Sequence, residues 1–325
     1  MGWKASSSMM SDSWAFGIGF DRFGIEYLYH QAELFDTGAR QLFGTRATSW
    51  QTAHSDPFQY AIELGVPGIV LFLGMWFSVA REKLTPSESI VDPRLMLIPI
   101  LLPSLVHSHL SFLPIGLFAF LFGGLSSRHT YSTKPRSLVS MVIAVVLVAM
   151  SIWVGKSALS IYPSYKQWLR GAELSAERDW EGALMSFVKA REGLPGMGEL
   201  EFQLGSALVL DGSPALGHEY LSSSLETFND RNVHLMIAVS AIDRRDYAAA
   251  LESISLVKRM FPDHLGPDLI GARALHALGR FAEAREALAR CIREDSRIRN
   301  RDTAQIRSEA LLMWHQYYPN HSIPE

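Results

Sequence analysis

Apolar and polar positions divide the chain near residue 156. Before that point apolar residues run together, and the stretches 64–80, 95–127 and 137–155 contain no Asp, Glu, Lys or Arg. Beyond it the chain is charged, Ala-rich and amphipathic with a helical period. Extending the first run back to residue 58 adds only Glu63 and gives about 23 residues, enough to cross a hydrocarbon core of ~30 Å. The 33 residues of 95–127 would extend about 50 Å as one helix, so they must fold back. Pro99 and Pro103 interrupt the first half, and the polar stretch 107–114 ends in Pro114, which predicts short helices over 94–109 and 113–126. A fourth helix covers 137–155. The predicted fold is all-α, with about four polytopic membrane helices followed by a soluble helical array.

Basic residues set the orientation. Arg81, Lys83 and Arg94 flank one connection and Arg128, Lys134 and Arg136 the next, whereas the turn 107–114 has neither Lys nor Arg. Both basic loops are therefore expected in the cytoplasm, which puts residues 1–57 and everything after 156 on the other face, the periplasm of a Gram-negative cell. His107 and His109 then sit in an external turn, where neutral imidazoles serve structure. The expected domains are a periplasmic loop with short helices (1–57), a membrane domain of four helices (58–157), repeats (158–297) and a capping helix and tail (298–325).

The second half repeats with a period of 33 to 34 residues. Gly171, Gly205, Ala238 and Ala272 share one phase, and Ala183, Gly217, Ala250 and Ala284 fall twelve residues later. Larger apolar residues recur at Phe187, Leu221, Ile254 and Leu288, followed three later by Ala190, Ser224, Val257 and Cys291, with Pro195 and Pro262 also in phase. This pattern resembles the tetratricopeptide repeat, in which small residues let paired helices pack closely and a proline ends the second helix. Four repeats fit, forming a stacked α-solenoid with a concave binding groove, and an amphipathic helix over 302–317 covers its end.

Composition narrows the function. A formal charge of -3 says little about partners, and no basic block or stacking-aromatic pattern points to nucleic acid. Cys291 is the one cysteine, so there is no disulfide framework and no cysteine-based zinc site, and its small repeat position points to core packing. Residues 1–14 lack the basic start and apolar core of a secretory signal. The phrase FGIGFDRFGIEY at 16–27 has only part of a phosphate-loop spacing and no preceding strand, so it is a tight turn leaving a helix at 3–13. Residues 27–52 then form an external loop with a helix through 29–43.

The sequence WKASSSMMSDSWAFGIGF, then a loop, then HSDPFQYAIELGVPGI resembles the C-terminal half of the O-antigen ligase and polymerase family of membrane glycosyltransferases, over about residues 3–125. The family includes O-antigen ligases, O-antigen polymerases and bacterial protein O-oligosaccharyltransferases. The resemblance implies transfer of a glycan from undecaprenyl-pyrophosphate to lipid A core, a growing polysaccharide or a protein, in the periplasm and without a metal or other cofactor. His54 aligns with the family's loop histidine and is the expected catalytic base, since an acceptor hydroxyl must lose a proton as it attacks the anomeric carbon. The pyrophosphate calls for guanidinium donors, for which Arg40, Arg46 and Arg22 are the candidates in and beside the loop. Glu63 is the expected supporting residue, on the helix that follows the histidine. The family arginine upstream of the tryptophan-containing helix falls before Met1, and full members have many more spanning helices. The chain is therefore expected to be the C-terminal portion of such an enzyme, inactive alone. The alternative is a non-catalytic, membrane-anchored scaffold whose repeats hold protein partners in envelope polysaccharide assembly.

Overall fold

The computed structural model describes residues 2–44, 47–81, 138–293 and 301–324. Regular structure among them is helical throughout, with no strand, in agreement with the all-α expectation. The described helices are α1 (Gly2–Asp12), α2 (Phe23–Leu34), α3 (Arg40–Phe43), α4 (Asp56–Arg81), α5 (Leu138–Ala176), α6 (Trp180–Gly193), α7 (Gly198–Leu210), α8 (Pro214–Ser224), α9 (Arg231–Asp243), α10 (Tyr247–Met260), α11 (Gly266–Ala277), α12 (Phe281–Ile292) and α13 (Arg301–Tyr317). A π turn, Phe35–Ala39, separates α2 from α3. The helices expected at 94–109 and 113–126, with His107 and His109 near the turn, lie outside the described residues, as does the basic loop 128–136.

The chain forms two compact units, one of Gly2–Tyr27 and Trp50–Ala158, the other containing Leu28–Ser49 and Leu159–Glu325. The expected boundaries at 57 and 157 differ from this division. Residues 28–49 belong with the repeats rather than with the rest of the external loop, and α5 runs through residue 157 as one helix.

In the first unit, α4 is broken at Gly65, whose φ of 65° and ψ of −145° lie outside helical geometry. Pro67 has no N–H, so the Glu63 carbonyl lacks its helical donor. The glycine turn repairs the break. Gly19 donates to the Glu63 carbonyl at 3.0 Å and Ile18 to that of Ile62 at 2.9 Å, while the Val66 amide donates to the Trp14 carbonyl at 3.1 Å. Gly17, with φ of 73°, fits because a Cβ there would lie 2.2 Å from the Glu63 oxygen. The GxG signal is thus a backbone splice, consistent with its exclusion as a nucleotide loop.

Residues 56–74 of α4 are long and apolar enough to cross a membrane. The two sides of the break differ. Before it, Ala61, Ile62 and Glu63 are buried; after it, Val66, Val70 and Leu73 are exposed, with Leu71 at 68% and Phe77 at 63%.

In the second unit, consecutive helices from α6 to α13 pack on one another, and α7, α9, α11 and α13 also touch in series. The turns that end α5, α7, α9 and α11 are built alike. Their left-handed residues are Arg178, Gly212, Arg245 and Gly279. The next amide reaches back across each turn: Asp179 to the Leu174 carbonyl at 3.0 Å, Ser213 to Leu208 at 2.8 Å, Asp246 to Ala241 at 2.8 Å and Arg280 to Leu275 at 2.9 Å. This is the Schellman closure, which satisfies carbonyls left over at a helix end. Asp179 and Asp246 then cap the following helices by accepting from Gly182 and Ala249.

The residues singled out by period are the ones at the packing surfaces. Ala183, Ala190, Ala238, Ala250, Ala272 and Ala284 are buried, as are Phe187, Leu221, Ile254, Leu288 and Cys291. Burial pushes the Cys291 thiol up to about 12, leaving it uncharged and inert at neutral pH. Helix α13 matches the amphipathic segment expected at 302–317, and its Ala310 and Trp314, with Tyr318, are buried against Leu265, Leu288 and Ile292.

Residues 28–49 dock on the end of α10. Gln31, fully buried, donates through Nε2 to the Met260 carbonyl at 2.8 Å. Arg259 donates through Nε and Nη2 to Asp36 Oδ2 at 3.0 and 2.5 Å. The single helix expected over 29–43 is interrupted at Gly38, where φ is 98°.

Candidate functional site

His54 lies in the first unit, on the loop just before α4, and is exposed. Its φ of 52° is left-handed, a region that non-glycine residues seldom occupy although His is among the more tolerant. Such a conformation costs on the order of 1 kcal/mol and persists only where neighbours impose it. The imposing contacts are visible on both sides. The Ala53 amide donates to Gln59 Oε1 at 2.7 Å, and the Gln59 amide donates to the Ser55 carbonyl at 2.8 Å.

Gln59 is itself held. Its Nε2 donates to Glu63 Oε1 at 2.7 Å, and both side chains are buried, Glu63 to 4% exposure. Glu63 Oε1 also accepts the Phe23 amide at 3.3 Å, and the Asp21 amide bonds the same carboxylate. Phe23 opens α2, so the carboxylate caps a helix N-terminus, where the amide dipoles favour negative charge. A continuous chain of bonds thus leads from the start of α2 through Glu63 and Gln59 to the backbone beside His54.

The imidazole rests on Trp50, ring centroids 4.5 Å apart and nearly perpendicular. Trp50 stacks on Tyr27 at 5.7 Å, and Tyr27 on Phe23 at 5.5 Å. Gly2 of α1 also touches the indole so closely that a Cβ there would fall 1.9 Å from it. Trp50 is thus packed between Tyr27, His54 and Gly2. Sequence reasoning did not single out Trp50 or Gln59. The Gln59–Glu63 spacing of four on one helix was the available signal for the second; for Trp50, in an irregular loop, there was none.

The arginines part company. Arg22 is in the same unit as His54, exposed, and donates to Glu26 Oε1 at 3.0 Å in an ordinary i,i+4 pair. Arg40 is in the other unit, where it donates to the Pro262 carbonyl at 3.0 Å and lies 3.7 Å from Asp263. Arg46 lies outside the described residues. His54, Glu63 and Arg22 are therefore joined through α2 and α4, and Arg40 is committed to the end of α10.

Among the described residues no three His, Cys, Asp or Glu side chains cluster so as to hold a metal ion. The chain matches no protein-family model and no curated protein. What the site offers chemically is an exposed imidazole on a fixed, strained backbone, backed by a buried carboxylate relay. Imidazole is the side chain most often used as a general acid or base.

Proposed function

We propose that the chain is the C-terminal part of an O-antigen ligase-like membrane glycosyltransferase, with His54 as its general base. In this reading an acceptor hydroxyl gives its proton to the imidazole as its oxygen bonds to the anomeric carbon. The bond from that carbon to the pyrophosphate breaks, and the electron pair leaves with undecaprenyl-pyrophosphate. The observation that carries the reading is the pinned, left-handed His54 on Trp50 at the head of a helix whose far half is apolar and exposed. Resemblance supplies the substrate class; an exposed imidazole at the head of an apolar helix supports the choice of base.

The exposed surface of α4 beyond Gly65, and residues 138–155 of α5, face lipid in this proposal, placing residues 1–57 and the repeats in the periplasm. The helices from α5 to α12 form four tetratricopeptide-type repeats that hold an acceptor or a protein partner, with α13 as cap. Four turns with the same closure at a period of 33 to 34 residues support that reading.

The second reading is the non-catalytic membrane scaffold. It is favoured by Arg40, a candidate phosphate ligand whose guanidinium is engaged by Pro262 and Asp263 instead.

His54→Ala in the full-length protein separates the two. Glycan transfer to lipid A core or to a protein acceptor should fall at least about 100-fold, the lower end of general-base contributions, with membrane insertion unchanged. Full activity in the variant excludes His54 as base, and no transfer by the wild type under conditions that support a related ligase favours the scaffold.

A further inference from the structure

We propose that residues 159–170 of α5 form a seat for anionic phospholipid headgroups, resting on the reading of residues 138–155 as lipid-facing. Helix α5 is 39 residues long, about 58 Å at 1.5 Å per residue, which exceeds any bilayer core. Its first eighteen residues, 138–155, carry no charge. The remainder must emerge, and its composition at the point of emergence is specific.

Ile161, Tyr162, Tyr165 and Leu169 recur at spacings of three and four, which puts them on one face, and all four are exposed, Tyr162 at 55% and Leu169 at 45%. Leu159 is 75% exposed. Trp168, three residues after Tyr165 and in edge contact with its ring at 5.4 Å, borders this stripe, and Gly171 lies further round the helix. Trp168 packs in the core with Phe187 and Leu200 and donates to Gln203, and Gly171 touches the Phe187 ring. The apolar stripe therefore adjoins the surface by which α5 packs on α6 and α7, yet its four residues remain exposed.

Charge says what covers it. From residue 138 to residue 172 the chain has no acidic residue, and its charges are Lys156, Lys166 and Arg170. Lys166 and Arg170 are exposed, and the Lys166 ammonium lies 5.3 Å from the Tyr162 ring centre. Cations and tyrosines beside an apolar stripe, directly beyond an uncharged helix, fit the headgroup layer: aromatic rings sit at its depth, and Lys and Arg are drawn to an anionic surface. A protein partner or a second copy would need acidic groups to answer these cations; anionic phospholipid phosphate answers them without any.

The test uses nitroxide labels on introduced cysteines in the full chain, reconstituted in phosphatidylcholine bilayers with or without phosphatidylglycerol. The native Cys291 is buried and stays unlabelled. Labels at Ile161→Cys and Leu169→Cys should be more accessible to oxygen than to a water-soluble nickel complex, though less so than Val145→Cys, whereas Glu173→Cys should report water. Lys166→Glu with Arg170→Glu should shift both interfacial labels toward water in the anionic bilayers only. If 161 and 169 match 173 while 145 stays in lipid, the seat is wrong and the membrane reading stands. If 145 reports water, the membrane reading fails and takes the seat with it.

Discussion

The Gly19 amide donates to the Glu63 carbonyl at 3.0 Å, filling the position that Pro67 leaves empty in α4. A glycine turn 44 residues upstream thereby completes a broken helix, and the same residue, Glu63, sends its side chain to the start of α2. Backbone and side chain of one residue tie the His54 loop to two elements.

Gly17→Ala should destabilise this splice. Its left-handed φ and the 2.2 Å approach of a Cβ to the Glu63 oxygen leave no room, and a loss of about 2 kcal/mol or more is expected. Gly74→Ala, where nothing lies within 4 Å, serves as the control and should be neutral. Thermal unfolding of the two variants in detergent checks the difference.

Glu63→Ala removes the acceptor of the Phe23 amide and of Gln59 Nε2, both in a buried setting. The expected cost is about 1–3 kcal/mol, with faster amide exchange at residues 21–24 and 53–54. Glu63→Gln keeps an acceptor oxygen and should lose less. Equal exchange in wild type and the Ala variant around residue 53 would break the proposed link to His54.

On the docked segment, burial decides which contact matters more. Gln31→Leu removes a buried donor from the Met260 carbonyl and should cost about 1–3 kcal/mol. Asp36→Ala removes a half-exposed pair with Arg259, for which about 0–1 kcal/mol is expected. Limited proteolysis within 28–49 should accelerate in the first variant far more than in the second.

Acid should weaken the repeats through His234. Burial pushes this imidazole down from 6.5 to about 4, and its Nε2–H donates to Asn229 Oδ1 at 2.8 Å. The unfolded histidine binds a proton near pH 6.5 and the folded one resists it, so stability is full above that pH and falls as pH drops from 6.5 toward 4. The change is about 3 kcal/mol when complete. His264, also lowered to about 4 by burial and by Arg231, adds in the same direction. Urea unfolding followed by helical signal should show this slope, and His234→Gln should flatten it in part.

The small residues at helix contacts were legible because close packing of consecutive helices makes a local demand at each. Gly205 and Gly217, for instance, let two helices approach until a Cβ on either would come within 3 Å of the other's carbonyl oxygen. The break at Gly65 was hidden, since an apolar run looks alike whether its backbone is continuous or spliced. The docking of 28–49 was hidden for another reason: Gln31 and Met260 are 229 residues apart, and no period encodes a contact that occurs once. At the candidate site, His54 was singled out by the family resemblance, but its left-handed backbone and its tryptophan depend on packing that no spacing records.

The four turns closed by Asp179, Ser213, Asp246 and Arg280 have a consequence for how the array can grow or shrink. Because each closure uses only backbone atoms and one left-handed residue, a duplicated or excised block of 33 or 34 residues meets the same joint at both of its ends. Array length is thus a modular variable, adjustable in whole helix pairs without inventing a new connection.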